Sequence, residues 1–292
     1  MRPSRKPFAR ARRLAARGAV GTKAQLRDVQ LNYQLAGSGE TVVLVPGFAT
    51  SLHLWDHQVE PLSRRYRCLR YDLRGQGESS APPEGYSTED HAEDLRLLLE
   101  HLNLPRAHLV GASMGGAVAV HLTLERPDLV RSLALAGAVV DGFEGWEDEY
   151  GLRLRRARKI AQAEGVEAAL RDWMGHPFFG ATRDLADFAR TVVRYSGAGW
   201  LSSVRPQKGA KSDFGRLAEL EKPVLVVVGE KDVDPCRRIA DELRQRIPKA
   251  RAAVIKDAGH LPCWDRPEEF NRVLLDFLGA QAAQVGPHAS RA

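Results

Sequence analysis

The sequence predicts an α/β fold, with a mostly parallel central sheet flanked by helices and a helical insertion late in the chain. Three observations carry that expectation. Short apolar runs alternate with segments of helical spacing over most of the 292 residues. A G-x-S-x-G sequence sits between one such run and the helical segment after it. The alternation then stops between about residues 138 and 220, where Arg, Ala, Glu and aromatic residues dominate.

Taken in chain order, residues 26 to 36 suggest antiparallel edge strands. Thr41 to Val45 (TVVLV) is a continuous run stopped by Pro46-Gly47. Such a run suits a strand buried on both faces, as parallel strands are. Arg67 to Tyr71 is the second candidate strand, ending at Asp72; His108 to Gly111 is the third and Ser132 to Gly137 the fourth. Val224 to Gly229 (VLVVVG) is the clearest, and Ala252 to Ile255 is the last.

Helices fall between them. Asp90 to Leu102 places Ala92, Leu95, Leu98, Leu99 and Leu102 on one stripe. Ser87, with Asp90 three residues on, is a fair N-cap. Gly115 to Glu125 follows the third strand and stops before Pro127. Residues 268 to 278 put Phe270, Val273, Leu274, Phe277 and Leu278 on one face. Helical spacing recurs around 152 to 173 and 183 to 195, inside the insertion. The expected organisation is a core of residues 24–137 and 221–280, a helical lid at 138–220, a basic, disordered tail at 1–23, and a flexible C-terminal tail at 281–292.

Composition excludes several functions. Hydrophobic residues make up 43% and charged residues 27%, an ordinary globular balance. No apolar run reaches the roughly 18 residues that cross a bilayer, so a soluble chain without membrane contact is expected. The net charge of +6 comes from residues 1 to 23, which hold eight Arg and Lys and no acid; the remainder stands at −2. The basicity belongs to a tail, so no nucleic-acid partner is expected. Arg12-Arg13 opens no export signal, because Arg17 interrupts the apolar stretch behind it. Cys68, Cys236 and Cys263 show no paired spacing. They fit a reducing, cytoplasmic setting better than disulfides or a zinc site.

The chemistry gathers at strand ends. Gly111-Ala112-Ser113-Met114-Gly115 lies in the strand–turn–helix setting that presents a nucleophilic serine. That turn is tight, and Gly111, Ala112, Gly115 and Gly116 keep bulk away from it. A serine hydroxyl needs a base, and the base needs an orienting acid. His260, in Asp257-Ala258-Gly259-His260-Leu261-Pro262 after the last strand, is the candidate base. Asp232, at the carboxyl end of VLVVVG, is the first candidate acid. Asp234 and Asp141 remain open as alternatives. His53 and His57 are further histidines near the expected pocket mouth.

Four stretches, LVPGFATSLHLWDHQVEPLSRRYRCLRYDLRGQGES, HLVGASMGGAVAVHLTLERPDLVRSLALAG, PVLVVVGEKD and AGHLPCWDRPEEF, occur in an order that resembles the α/β-hydrolase superfamily. The resemblance spans roughly residues 26 to 280. It implies the α/β-hydrolase fold, Ser113 as nucleophile, Asp232 as acid, His260 as base, and the Phe48 and Met114 N–H groups as oxyanion-hole donors. Many relatives carry His-Gly where this chain has Pro46-Gly47, and R-G-H-G where it has Arg74-Gly75-Gln76-Gly77. Ser113 argues against the aspartate-nucleophile dehalogenases and epoxide hydrolases of the fold.

The expected activity is hydrolysis of a small to medium, largely apolar ester or lactone through an acyl-enzyme, with no cofactor and no metal. Carbon–carbon bond hydrolysis or perhydrolysis by the same triad is the alternative. A hydrolase-fold receptor with slow turnover for a small molecule is another. Trp146, Phe178, Trp200, Leu261 and Trp264 are the candidate substrate contacts, with Trp173 and Phe179 beside them. Oligomeric state has no signal in the sequence.

Overall fold

A computed structural model describes residues 21–146, 150–182, 184–192, 194–202 and 212–284. Its strands are β1 (Thr22–Gln25), β2 (Gln30–Ala36), β3 (Thr41–Val45), β4 (Arg67–Tyr71), β5 (Ala107–Ala112), β6 (Val130–Ala136), β7 (Val224–Gly229) and β8 (Ala250–Ile255). They form one sheet in the order β1-β2-β4-β3-β5-β6-β7-β8. The β1–β2 and β2–β4 pairs are antiparallel, and every pair from β4–β3 to β7–β8 is parallel. Every residue of β3, β5 and β7 is buried, as continuous apolar runs demand.

Helices cover both faces. Val42 and Leu44 share an apolar cluster with Leu62 of α1 (Asp56–Ser63), while Val43 and Val45 point into a second one. That second cluster takes in α2 (Thr88–His101), through Leu95, Leu98 and Leu99, and α3 (Met114–Glu125), through Val118 and Val120. The Ser87 side chain accepts from the Asp90 N–H while the Asp90 carboxylate accepts from the Ser87 N–H. This reciprocal cap stabilises the start of α2 by about 1 kcal/mol.

Between β6 and β7 the described chain is helical: α4 (Tyr150–Glu164), α5 (Val166–Trp173), α6 (Leu185–Val192) and α7 (Ala198–Leu201). Leu170, Trp173, Phe178 and Phe188 of this cap join the same cluster as α1. The cap therefore packs directly onto the sheet domain and has no separate core. Arg190 pairs with Asp56, and Arg194 with Glu78, across the junction. The chain then adds α8 (Asp234–Arg246), the short α9 (Pro262–Asp265) and α10 (Pro267–Gln284).

Two boundaries move. Thr22 and Lys23, grouped with the basic tail on composition, begin β1 and pair with Tyr33 and Asn32. The expected disorder of the tail otherwise falls on residues 1–20, outside the described residues. Residues 281–284, expected in the C-terminal tail, continue α10, and Gln281 is buried there with its side chain donating to the Phe277 carbonyl at 3.1 Å. Among the described residues no helix is long and apolar enough to cross a membrane.

Candidate active site

β5 delivers Ser113 to the carboxyl edge of the sheet. Ser113 has φ 51° and ψ −119°, a region that non-glycine residues rarely adopt. The cost of such a conformation is about 1–3 kcal/mol. Surrounding bonds hold it: the Ser113 N–H donates to the Ala136 carbonyl at 3.0 Å, and its own carbonyl accepts from Gly116 at 2.8 Å. Close packing explains the glycines. A Cβ on Gly111 would lie 2.3 Å from the Gly115 oxygen, and one on Gly115 would lie 2.3 Å from the Val45 oxygen. The turn therefore fits only if both positions lack a side chain.

The histidine loop is held by the ends of three strands. Gly229, at the end of β7, lies so near Gly259 that a Cβ would meet its oxygen at 2.1 Å. The Lys231 N–H donates to the Ala258 carbonyl at 2.8 Å, and Glu230 to Ile255 at 3.0 Å. From the β6 end, a Cβ on Gly137 would meet the His260 oxygen at 2.2 Å. These contacts bring Asp232 and His260 together although 28 residues separate them.

His260 Nε2 lies 2.9 Å from Ser113 Oγ. Its Nδ1 lies 3.2 Å from each oxygen of Asp232. The Asp232 side chain is fully buried, and its Oδ1 also accepts from the Val233 N–H at 2.8 Å. A carboxylate facing Nδ1 fixes the proton on that nitrogen and leaves Nε2 as the acceptor for the serine hydroxyl. The other two candidate acids stand elsewhere. Asp141 takes a hydrogen bond from Thr88, and Asp234 is exposed and pairs with Arg237.

Phe48 lies on the loop after β3. Asp72 anchors that loop: it is buried, and its Oδ1 accepts from the Leu52 N–H at 2.7 Å. A Cβ on Gly47 would stand 3.3 Å from the Ser113 Cβ, so the loop passes directly beside the serine. Met114 is the first residue of α3, where helix geometry leaves the N–H without an intrahelical acceptor. Phe48 and Met114 thus lie on the two chain segments that adjoin Ser113.

A family model described as the alpha/beta hydrolase fold matches residues 40–267. A putative 2-succinyl-6-hydroxy-2,4-cyclohexadiene-1-carboxylate synthase of Bacillus subtilis is 30% identical, over 85% of this chain and 95% of that protein. A putative carbamate hydrolase of Stutzerimonas stutzeri is 29% identical, over 87% of this chain and 99% of that one. The crystal structure of the enol-lactonase from Burkholderia xenovorans superposes with a TM-score of 0.73 at 28% identity, covering 88% of this chain and all of that one.

The chain belongs to the alpha/beta hydrolase family. As a member it is an enzyme of the hydrolase class, and its walls can be read as those of a substrate site. A cavity of about 20 Å³ lies over Ser113. The core side supplies Gly47, Phe48, Thr50 and Leu261, and the cap supplies Trp173, Phe178 and Phe179. That volume holds about one water. Phe178 stacks on the imidazole of His260, with ring centroids 4.2 Å apart and planes 17° from parallel. His176 lies on the other face of Phe178, 3.9 Å away. Burial, with the Arg153 and His260 charges, pushes the His176 imidazole down to about 4, so it is neutral near pH 7.

Two of the aromatic residues expected at the substrate stand behind this wall. Trp200 is buried against Phe48 and Tyr195, with centroids 5.9 and 4.8 Å away. Trp264 packs on Phe188 and His57 and lies under the Arg190 guanidinium. Both fill the seam between cap and core, where large rings bury the most area. The side chain of Trp146 lies outside the described residues. His53 hydrogen-bonds Asp56 at 3.2 Å and belongs to the seam as well.

Cys236 has no signal in the sequence, yet its Sγ lies 3.3 Å from His260 Nδ1. Asp232, Cys236 and His260 place an oxygen, a sulfur and a nitrogen within 4.8 Å of one another, the one group of that kind among the described residues. These atoms already satisfy each other by hydrogen bonds and are sealed from solvent, which suits a proton-transfer site better than a metal centre.

Proposed function

We propose that this hydrolase cleaves a small to medium, largely apolar ester or lactone through a covalent acyl-serine. The observation that carries the reading is the 2.9 Å approach of His260 Nε2 to a conformationally strained Ser113, with Asp232 on the opposite ring nitrogen. Ser113 Oγ attacks the carbonyl carbon while His260 takes its proton. Asp232 keeps Nδ1 protonated and stabilises the imidazolium. The Phe48 and Met114 N–H groups receive the oxyanion, a contribution of roughly 3 kcal/mol per donor in acyl-transfer sites. His260 then protonates the leaving group. It next activates water, which releases the acid and restores the serine.

The cavity walls support the substrate class: Phe48, Trp173, Phe178, Phe179 and Leu261 are apolar or aromatic. The free, buried Cys68, Cys236 and Cys263 fit a reducing compartment such as the cytoplasm.

The test is a panel of aryl esters, lactones and vinylogous diketones, assayed with wild type and Ser113→Ala. We expect turnover of esters or lactones in the wild type and a loss on the order of 10⁴-fold or more in the variant, with unchanged melting. Turnover confined to the diketones would move the assignment to carbon–carbon bond cleavage. Full activity in the variant would remove Ser113 as nucleophile.

A further inference from the structure

We infer that Cys236 is a positioning residue for the triad, its thiol donating a hydrogen bond to the Asp232 carboxylate and so helping to set the orientation and strength of the Asp232–His260 pair. The inference rests on the triad reading above.

Sequence places the thiol there by local means. Pro235 occupies the first turn of α8, where its fixed φ is preorganised for a helix. Cys236 follows it and turns inward, 1% exposed, four residues after Asp232.

The direction of the hydrogen bond follows from counting donors. His260 Nδ1 faces both oxygens of Asp232 at 3.2 Å, so its proton is committed there and the nitrogen has no lone pair to offer the thiol. Asp232 is the acceptor left: Cys236 Sγ lies 3.3 Å from Nδ1 and within 4.8 Å of a carboxylate oxygen, so an S–H turned from the committed nitrogen faces the carboxylate. A fully buried carboxylate needs donors on both oxygens. The Val233 N–H reaches Oδ1, while Oδ2 shares the imidazole proton. The S–H supplies a third donor. Burial, then the Asp232 charge, pushes the thiol well above its ordinary range, so it stays protonated and able to donate.

A neutral donor beside the carboxylate tempers its pull on the imidazole without neutralising it. Removing that donor leaves the carboxylate more basic and the imidazolium more stable. The acid limb of the pH–rate profile then moves to higher pH.

The experiment compares Cys236→Ala, Cys236→Val and Cys236→Ser with wild type and Ser113→Ala, using 4-nitrophenyl butyrate, and records the downfield proton spectrum of each free enzyme. With Ala and Val, kcat should fall roughly three- to tenfold at constant KM. The acid limb should rise by on the order of half a pH unit, and the Nδ1–H resonance should move. Ser retains a hydroxyl donor and should restore rate, limb and resonance. Val keeps the volume, so agreement between Ala and Val separates the donor from the space it fills. An unmoved Nδ1–H resonance in both Ala and Val overturns the inference, with or without turnover of the ester. So does a Ser variant that falls as far as Ala. If Ser113→Ala retains the wild-type rate, the triad reading fails instead, independently of Cys236.

Discussion

Replacing Asp232 with Asn tests the triad most sharply, because the structure fixes which way the new amide points. In wild type, Oδ1 accepts from the Val233 N–H at 2.8 Å, and both oxygens lie 3.2 Å from His260 Nδ1. An asparagine must keep its oxygen toward the Val233 N–H, since turning the NH₂ there would set two donors against each other. The NH₂ group then occupies the Oδ2 position and points at Nδ1. Nδ1 becomes an acceptor, the imidazole proton shifts to Nε2, and that nitrogen, 2.9 Å from Ser113 Oγ, can no longer take the hydroxyl proton. The shape is unchanged, so binding survives while general-base catalysis is lost. In serine hydrolases of other folds the same wrong-tautomer change costs about 10⁴-fold in kcat, and a similar factor is expected here. The assay is steady-state ester hydrolysis across pH, paired with thermal melting. Asp141→Asn should stay within about twofold of wild type, because its side chain is engaged with Thr88 and not with the imidazole. A well-folded Asp232→Asn enzyme with near-wild-type kcat would refute the reasoning, and a large loss in Asp141→Asn would transfer the role.

Three further outcomes follow from individual contacts. Gly115→Ala pushes a Cβ to 2.3 Å from the Val45 oxygen and 2.6 Å from the Pro46 oxygen; calorimetry should show a loss of roughly 1–3 kcal/mol, and esterase assays a drop of about 100-fold as Ser113 is displaced. Phe179→Ala removes a cap wall of the cavity. The ratio of kcat/KM for a hexanoyl over an acetyl ester should then rise by about tenfold, and an unchanged ratio would place the acyl chain elsewhere. Burial, followed by the Arg74 charge, pushes the His91 imidazole down from 6.5 to about 4. The unfolded chain therefore takes up this proton first, and stability held above pH 6.5 is lost as pH falls toward 4, by up to roughly 3 kcal/mol. Denaturant titrations of His91→Phe should be flatter than wild type across that window.

The sheet was legible because parallel strands buried on both faces cannot alternate; TVVLV and VLVVVG became β3 and β7 with the expected bounds. Ser113 and His260 were legible for a related reason, since each sits in a local turn whose glycines have steric work to do. Other features live in long-range contacts. α1 carries Pro61 within it and buries only Gln58 and Leu62, so no stripe announces it. α8 does carry a stripe, Cys236, Ile239, Ala240 and Leu243, but charged neighbours dilute it. Choosing among Asp141, Asp232 and Asp234 requires knowing which carboxylate reaches the imidazole, and the 3.2 Å approach of both Asp232 oxygens to Nδ1 favours Asp232. Aromatic content could not say which rings line the cavity over Ser113: Phe178 does, while Trp200 and Trp264 pack in the seam. Cys236 acquires meaning only beside a histidine 24 residues later.

The cap supplies part of the wall over Ser113, and Asp56 is where its seating can be measured. Its carboxylate lies in α1 and pairs with Arg70 of β4 and with Arg190 of α6, joining sheet and cap. Arg190 also lies 5.3 Å over the ring of Trp264. Burial alone would push this carboxyl up. The His53 hydrogen bond and the charges of Arg70, His53 and Arg190 outweigh it and hold the group well below its ordinary 3.8. A depressed folded-state value means stability that is fully present above 3.8 and is lost as pH falls below it. Asp56→Asn removes the charge at every pH. Its melting temperature should be lower than wild type at about pH 6, and the gap should narrow toward about pH 3 as the unfolded wild-type chain takes up this proton while the folded carboxylate stays ionised. Arg190→Ala should reproduce part of that loss, since Arg70 still holds Asp56 from the sheet side. Parallel melting curves for wild type and Asp56→Asn over the whole range would show that the cap is seated by its aromatic contacts alone.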